Sequence, residues 1–245
     1  MADRDFYSKG IDFDVQGTII QIEHAKEAVR KEMPTVGIVF DGGVVLIVLK
    51  KTERKLVLRD SIQKIFQIDN RIVVSASGLI PDASKLAEQA RLDATDYQKT
   101  FNESIGIEEL AKELGSIMQS HTQCFGVRIF GVSLLVAGVE NCQPRLFEID
   151  PDGLVLEYLA TSIGGEKNKE RIIILENRWY EKITEEEAIT LGVDVLIGTL
   201  KENPVFTTAE GCVITAKGFK KIPFYEMDKY VEKTIKKIEE EIGKK

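Results

Sequence analysis

The spacing of apolar residues changes period several times along the chain, and each change marks a new element. Ile19, Ile22, Ala25 and Val29 recur at helical spacing, with Glu23, Lys26, Glu27, Arg30 and Lys31 on the other face. Thr18 and Gln21 have capping-box spacing, and Glu27 stands four residues before Lys31. A helix over 18–33 is therefore predicted, ended by Pro34, which restricts Met33. Runs at 36–40 and 44–49 read as strands joined at Asp41-Gly42-Gly43, a hairpin signal. The second run, Val44-Val45-Leu46-Ile47-Val48-Leu49, is apolar without alternation, so both of its faces are expected to be covered. Another strand pair, 62–68 and 71–77, is expected around Asp69-Asn70.

Longer helical stripes follow. Over 82–95, Ala83, Leu86, Ala87, Ala90 and Ala94 share a face; over 107–120, Leu110, Ala111, Leu114, Ile117 and Met118 do the same. Strand patterns return at 131–139, 145–149 and 154–160, with a turn at Asp150-Pro151-Asp152-Gly153. Helices are expected at 166–180 and 184–201, the second opened by a capping box of Thr184 and Glu187. A strand at 212–216 and a charged helix at 227–242 finish the pattern. Two strand blocks, each followed by a helix pair, predict an α+β fold of two antiparallel sheets face to face, with helices outside both. A parallel doubly wound sheet is the alternative. Hairpin signals and the lack of single strand–helix alternation count against it.

Composition narrows the function classes. Of 245 residues, 43% are hydrophobic, enough for a sizeable core, and 30% are charged. Lys and Arg number 33 against 40 Asp and Glu, a net charge of -7, which disfavours a nucleic-acid partner because phosphate binding needs concentrated positive charge. Cys124, Cys142 and Cys212 are widely spaced and odd in number, as free thiols in a reducing compartment would be. Only His24 and His121 offer imidazoles, so both are read as structural and no metal or other cofactor is expected. The start lacks the apolar core of a signal peptide, and the longest apolar run is far shorter than the ~20 residues of a membrane helix. A soluble, cytoplasmic protein without membrane contact is expected. Neither Gly-x-Ser-x-Gly nor the phosphate loop Gly-x-x-x-x-Gly-Lys-Ser/Thr occurs, so any ATP dependence must come from a partner.

The segment Gly17-Thr18-Ile19-Ile20-Gln21-Ile22-Glu23-His24-Ala25-Lys26-Glu27-Ala28 resembles the signature Gly-x-Leu/Ile-Phe/Ile-Gln-Val/Ile-Glu-Tyr/His-Ala-x-Glu-Ala of proteasome alpha-type subunits. Ser61-Ile62-Gln63-Lys64-Ile65 looks like that family's Ser-Ile-Glu-Lys-Ile, and Ser77-Gly78-Leu79-Ile80-Pro81-Asp82-Ala83 its Ser-Gly-Leu-x-x-Asp-Ala. Gly126-Val127-Arg128-Ile129-Phe130-Gly131-Val132-Ser133-Leu134 is similar to Gly-Val-Arg-Pro-Phe/Tyr-Gly-Val-Ser-Leu, closest to archaeal-type members, with Ile129 in place of proline. Pro144-Arg145-Leu146-Phe147, Asp150-Pro151-Asp152-Gly153, Ala160 and Ile163-Gly164 continue the match in order. The resemblance implies the four-layer αββα sandwich of the amino-terminal-nucleophile hydrolases. It also implies one alpha-type domain over 1–245: a gate segment at 1–17, a first helix at 18–33, a sandwich at 35–225 and a closing helix at 226–245. Departures lie at the front, where Ser8-Lys9 stands for the family's Asp-Arg and Val15 for its turn proline, in a region that orders the gate.

Beta-type relatives hydrolyse peptides through an amino-terminal threonine whose own α-amine is the base. Their Thr-Thr-Thr-Val-Gly start resembles Thr35-Val36-Gly37 here, which puts Met33 at the nucleophile's position and Leu49 at that of the assisting aspartate; Lys64 alone keeps the assisting lysine. The resemblance thus implies a non-catalytic subunit of a heptameric alpha ring stacked on beta-type rings. Rival readings are a threonine hydrolase self-processed at Pro34-Thr35, which would lose its signature helix, and a degenerate paralogue forming non-standard rings. The resemblance further implies a gate at Tyr7, Ser8, Lys9 and Gly17. It implies a pocket between subunits where Lys64 meets the terminal carboxylate of an ATPase activator's tail, bordered by Glu23, Lys26, Gly78 and Leu79. Plainer readings stand beside these: an exposed lysine beside a strand, a solvated helix face, and a glycine that permits a tight turn. Arg128 is expected to hold the loop before the 132 strand, and the closing helix to lie solvated on the outer wall.

Overall fold

The computed structural model describes residues 13–51, 56–58, 61–200 and 207–242. In chain order these form α1 (Ile20–Lys31), β1 (Thr35–Phe40), β2 (Gly43–Lys51), β3 (Ile65–Gln67), β4 (Ile72–Gly78), α2 (Ile80–Phe101) and α3 (Ile107–Gln123). Then come β5 (Val132–Glu140), β6 (Gln143–Ile149), β7 (Val155–Glu157), β8 (Ala160–Ile163), α4 (Asn168–Arg178), α5 (Glu185–Gly198), β9 (Thr207–Thr215), β10 (Gly218–Ile222) and α6 (Phe224–Ile242). Two five-stranded sheets result, ordered β10-β9-β2-β1-β8 and β3-β4-β5-β6-β7, and every strand pair is antiparallel.

Alternation along β2 explains the layering. Val45, Ile47 and Leu49 pack with α4, α5 and α6, while Val44, Leu46 and Val48 meet Val73, Leu135, Ala137 and Leu146 of the other sheet. The outer face of the second sheet, with Val74, Ala76, Leu134 and Val136, is covered by the alanine- and leucine-rich faces of α2 and α3. Helix, sheet, sheet, helix is therefore the order of layers, as expected, with three apolar seams rather than one. Helix α1 stands apart from both outer layers and lies against β4 and β5, burying Ala25 and Val29.

Several expectations need correction. Thr18 and Gln21 form no capping box: α1 starts at Ile20, and its N-cap Ile19 has no side-chain cap. Asp14 is the better acceptor, taking the N–H groups of Gln16 (2.9 Å) and Thr18 (2.8 Å), and so holds the preceding turn instead of the helix. The strand expected at 62–68 shrinks to three residues because Lys64 turns inward. The run at 154–160 is two strands in different sheets: Tyr158 N donates to Leu146 O at 2.8 Å, and Leu159 O accepts from Val39 N at 2.8 Å. Period alone cannot show that exchange. The strand expected at 212–216 begins at Thr207, and β10, polar at Lys220 and Lys221, was not anticipated. The final helix is docked, not merely solvated: Met227 is buried, and Tyr230, Val231, Ile235 and Ile238 join the core cluster, with the helix lying against α5 and β9. The Thr184 box forms as predicted, with Glu187 N donating to Thr184 Oγ1 and Thr184 N to Glu187.

Candidate functional site

The chain leaves α1 through Glu32 and Met33 and enters β1 at Thr35 without turning away from the sandwich. Lys64, immediately before β3, points into this junction. Its ammonium donates to Met33 O (2.6 Å) and Leu49 O (3.1 Å), and the residue is 3% exposed. Burial pushes its pKa down to about 7; Glu32 works against that and Lys50 with it. Ser77 Oγ donates to the same Met33 carbonyl at 3.0 Å. The carbonyl at the position of a catalytic threonine is therefore held by two donors within an ordinary peptide chain. Thr35, fully buried, donates its hydroxyl to Ala76 O (3.2 Å), and Leu49 packs its side chain among the helices. Met33 and Thr35 are both mid-chain residues without an α-amine of their own, so the arrangement of the described residues supports no amino-terminal nucleophile here.

The exposed-lysine reading of Lys64 is thus wrong, and its neighbourhood holds charges that the sequence reading missed. Lys50, 3% exposed, pairs with Glu210, whose other oxygen meets Lys221 at 2.8 Å. Lys50 continues the apolar run of β2, and hydropathy gives no signal that a lysine there would be enclosed.

The expected pocket residues are dispersed in the single chain. Leu79 lines a cavity of about 470 Å³ together with Gln21, His24, Ala25 and Ala28 of α1 and the 126–131 loop. Lys26 lines another of about 640 Å³ on the far side of α1, over Glu148 and Asp150. Glu23 is exposed and, like Lys64 and Gly78, lines neither. Lys26 is committed to Asp152 at 2.8 Å; burial opposes its charge, but Asp152, Asp150 and Glu23 keep its pKa raised. Burial likewise pushes Glu148 up to about 7, with Thr161 Oγ1 donating to it at 2.6 Å. Gly78 has φ +125°, and a Cβ there would strike the Gly131 carbonyl, so the turn reading of this glycine is physically sufficient.

Arg128 does hold its loop: its guanidinium grips Asp82 at 2.8 and 2.6 Å. His121 stacks on Phe130 at 4.4 Å and places Nδ1 3.2 Å from Arg128 O, a structural position. Of the expected gate, Gly17 lies in the Asp14 turn with φ +79°, while Tyr7, Ser8 and Lys9 fall outside the described residues. Among the described residues no three His, Cys, Asp or Glu side chains converge as a metal site requires, and no helix is long and apolar enough to cross a membrane.

Comparison with known proteins gives the geometry its context. A family profile described as "Proteasome subunit" matches residues 30–214. The "Proteasome subunit alpha" of Methanocaldococcus jannaschii is 43% identical over 223 residues, 90% of this chain and 85% of that one. That of Methanosarcina thermophila is 39% identical over 243 residues, 98% of each chain. That of Thermococcus sibiricus is 40% identical over 231 residues, 94% of this chain and 88% of its own.

Proposed function

The chain belongs to the proteasome subunit family as a non-catalytic alpha-type subunit of the outer ring, and from that premise we propose that it forms a heptameric ring in the cytoplasm, closes the axial entrance with its amino-terminal segment and receives the tails of an ATPase activator. The observation that carries the reading is the junction at Met33. A continuous chain with its carbonyl held by Lys64 and Ser77 leaves the fold free to act as wall and entrance only. Self-processing at Pro34-Thr35 is disfavoured, because the Thr35 hydroxyl is buried and committed to Ala76 O.

The proposed docking draws on the same junction. Two of the three N–H donors on Lys64 are taken by backbone carbonyls and the residue is almost fully enclosed, so an arriving tail must open a way to the third donor. Ala25 and Ala28 of α1 face Leu79 across the proposed approach, and a neighbouring subunit supplies the opposite wall. Tyr7, Ser8, Lys9 and Gly17 form the gate. Co-expression with a beta-type partner and electron microscopy test the assembly: stacked rings capped by seven copies of this chain are expected. A chain that remains monomeric beside an assembled beta ring would overturn the proposal.

A further inference from the structure

The cavity beside Leu79 owes its shape to one side-chain pair that the docking reading leaves unassigned. Asp82 lies in the first turn of α2 and is 7% exposed. Its Oδ2 accepts from Arg128 Nη1 (2.8 Å) and Gly131 N (2.8 Å), and its Oδ1 from Arg128 Nη2 (2.6 Å). Arg128 Nη1 also donates to Ile129 O at 3.0 Å. The 126–131 loop is therefore tied at its middle and at its end to the start of α2. Leu79 N in turn donates to Gly131 O at 2.9 Å. A Cβ on Gly131 would come within 2.9 Å of Leu79 Cδ1 and 3.6 Å of Ala28 Cβ, so Leu79, Gly131 and α1 sit in mutual contact. Moving the loop moves Leu79, and moving Leu79 changes the cavity between it and α1.

The apolar core beneath does not require this clamp. Val132, Leu134 and Val136 are anchored through β4 and α2 by backbone pairing and packing. The Arg128 side chain is 64% exposed, while Asp82 keeps its carboxylate pKa lowered despite burial, through Arg128 and the Gly131 amide. An ion pair between a buried carboxylate and an exposed guanidinium, bidentate on one side and bonded to backbone on the other, fixes geometry more than it adds stability.

We propose that Asp82 and Arg128 are positioning residues for the activator-tail site, holding the 126–131 loop and Leu79 in the arrangement that admits the tail. This rests on the docking reading above. The test uses particles assembled with a beta-type partner and a short synthetic peptide copying the activator's C-terminal tail, with its C-terminally amidated form as control. Peptide hydrolysis is followed against tail concentration for wild type, Asp82→Asn, Arg128→Lys and Lys64→Met. Arg128→Lys keeps the charge but loses the fork. Both clamp variants are expected to raise the half-stimulating concentration roughly tenfold, the loss of about one charge-assisted bond, while retaining the maximal stimulation. An unchanged half-stimulating concentration in assembled particles would overturn the proposal. So would a parallel loss of assembly and maximal response in both variants, which marks a purely structural pair. If the amidated peptide stimulates equally, or Lys64→Met responds as wild type does, the docking reading itself fails and this inference falls with it.

Discussion

At the scale of single residues, the buried Lys64 and the half-buried Glu148 pull stability in opposite directions. Glu148 has a folded pKa raised from 4.5 to about 7, so the stability associated with its protonated form is complete below 4.5 and is lost as pH rises through 7. Lys64 has a folded pKa lowered from 10.5 to about 7; its charged form is penalised below 7, and the penalty is relieved as pH climbs from 7 to 10.5. Thermal denaturation against pH should therefore show a fall between 4.5 and 7 that Glu148→Gln removes, and a rise above 7 that Lys64→Met removes. Equal slopes in wild type and variants would show that these groups do not carry the effect. Neither position was legible from composition. A glutamate between Phe147 and Ile149, and a lysine before Ile65, look like ordinary edges of apolar runs until the facing sheet lies over them, with Thr161 of β8 meeting Glu148 and the Leu49 carbonyl of β2 meeting Lys64.

At the scale of elements, the closing helix shows how much depends on one acceptor. Asp194 of α5 accepts from Thr234 Oγ1 of α6 (2.8 Å) and Arg178 of α4 (2.8 Å) and meets Lys237 at 3.3 Å. Replacing Asp194 with Ala is expected to cost ~1–3 kcal/mol, chiefly by leaving the Thr234 hydroxyl unpaired and freeing α6. Amide exchange would report it as faster exchange across α6 with little change in β1 and β2. Unaltered protection in α6 would mean that Met227 and its apolar neighbours hold the helix alone. The helices were largely legible because their stripes repeat over many turns; α2 and α3 were placed correctly and only their lengths were short. Short strands were not. β10, β3 and the split at Tyr158 depend on partners far along the sequence, which no local period encodes. The motifs at 17–28, 61–65 and 77–83 were legible as family markers, but not the arrangement of their side chains: Lys26 faces Asp152 and Lys64 lies beneath the backbone.

At the scale of the whole molecule, the continuous chain through Met33 sets what the subunit does. The expected mature form retains its first helix, and intact mass spectrometry after assembly should find no species beginning at Thr35. A covalent inhibitor of threonine proteases should label the beta-type partner and leave this chain unmodified. Labelling of Thr35 would reverse the assignment. The exchange of sheets at Tyr158 and Leu159 has its own mechanical effect. Consecutive residues are bolted to opposite slabs of the sandwich, so the slabs cannot slide past one another at that corner without breaking one of the two bonds. A force applied at that corner is thus shared between the two slabs instead of being taken up by slippage between them.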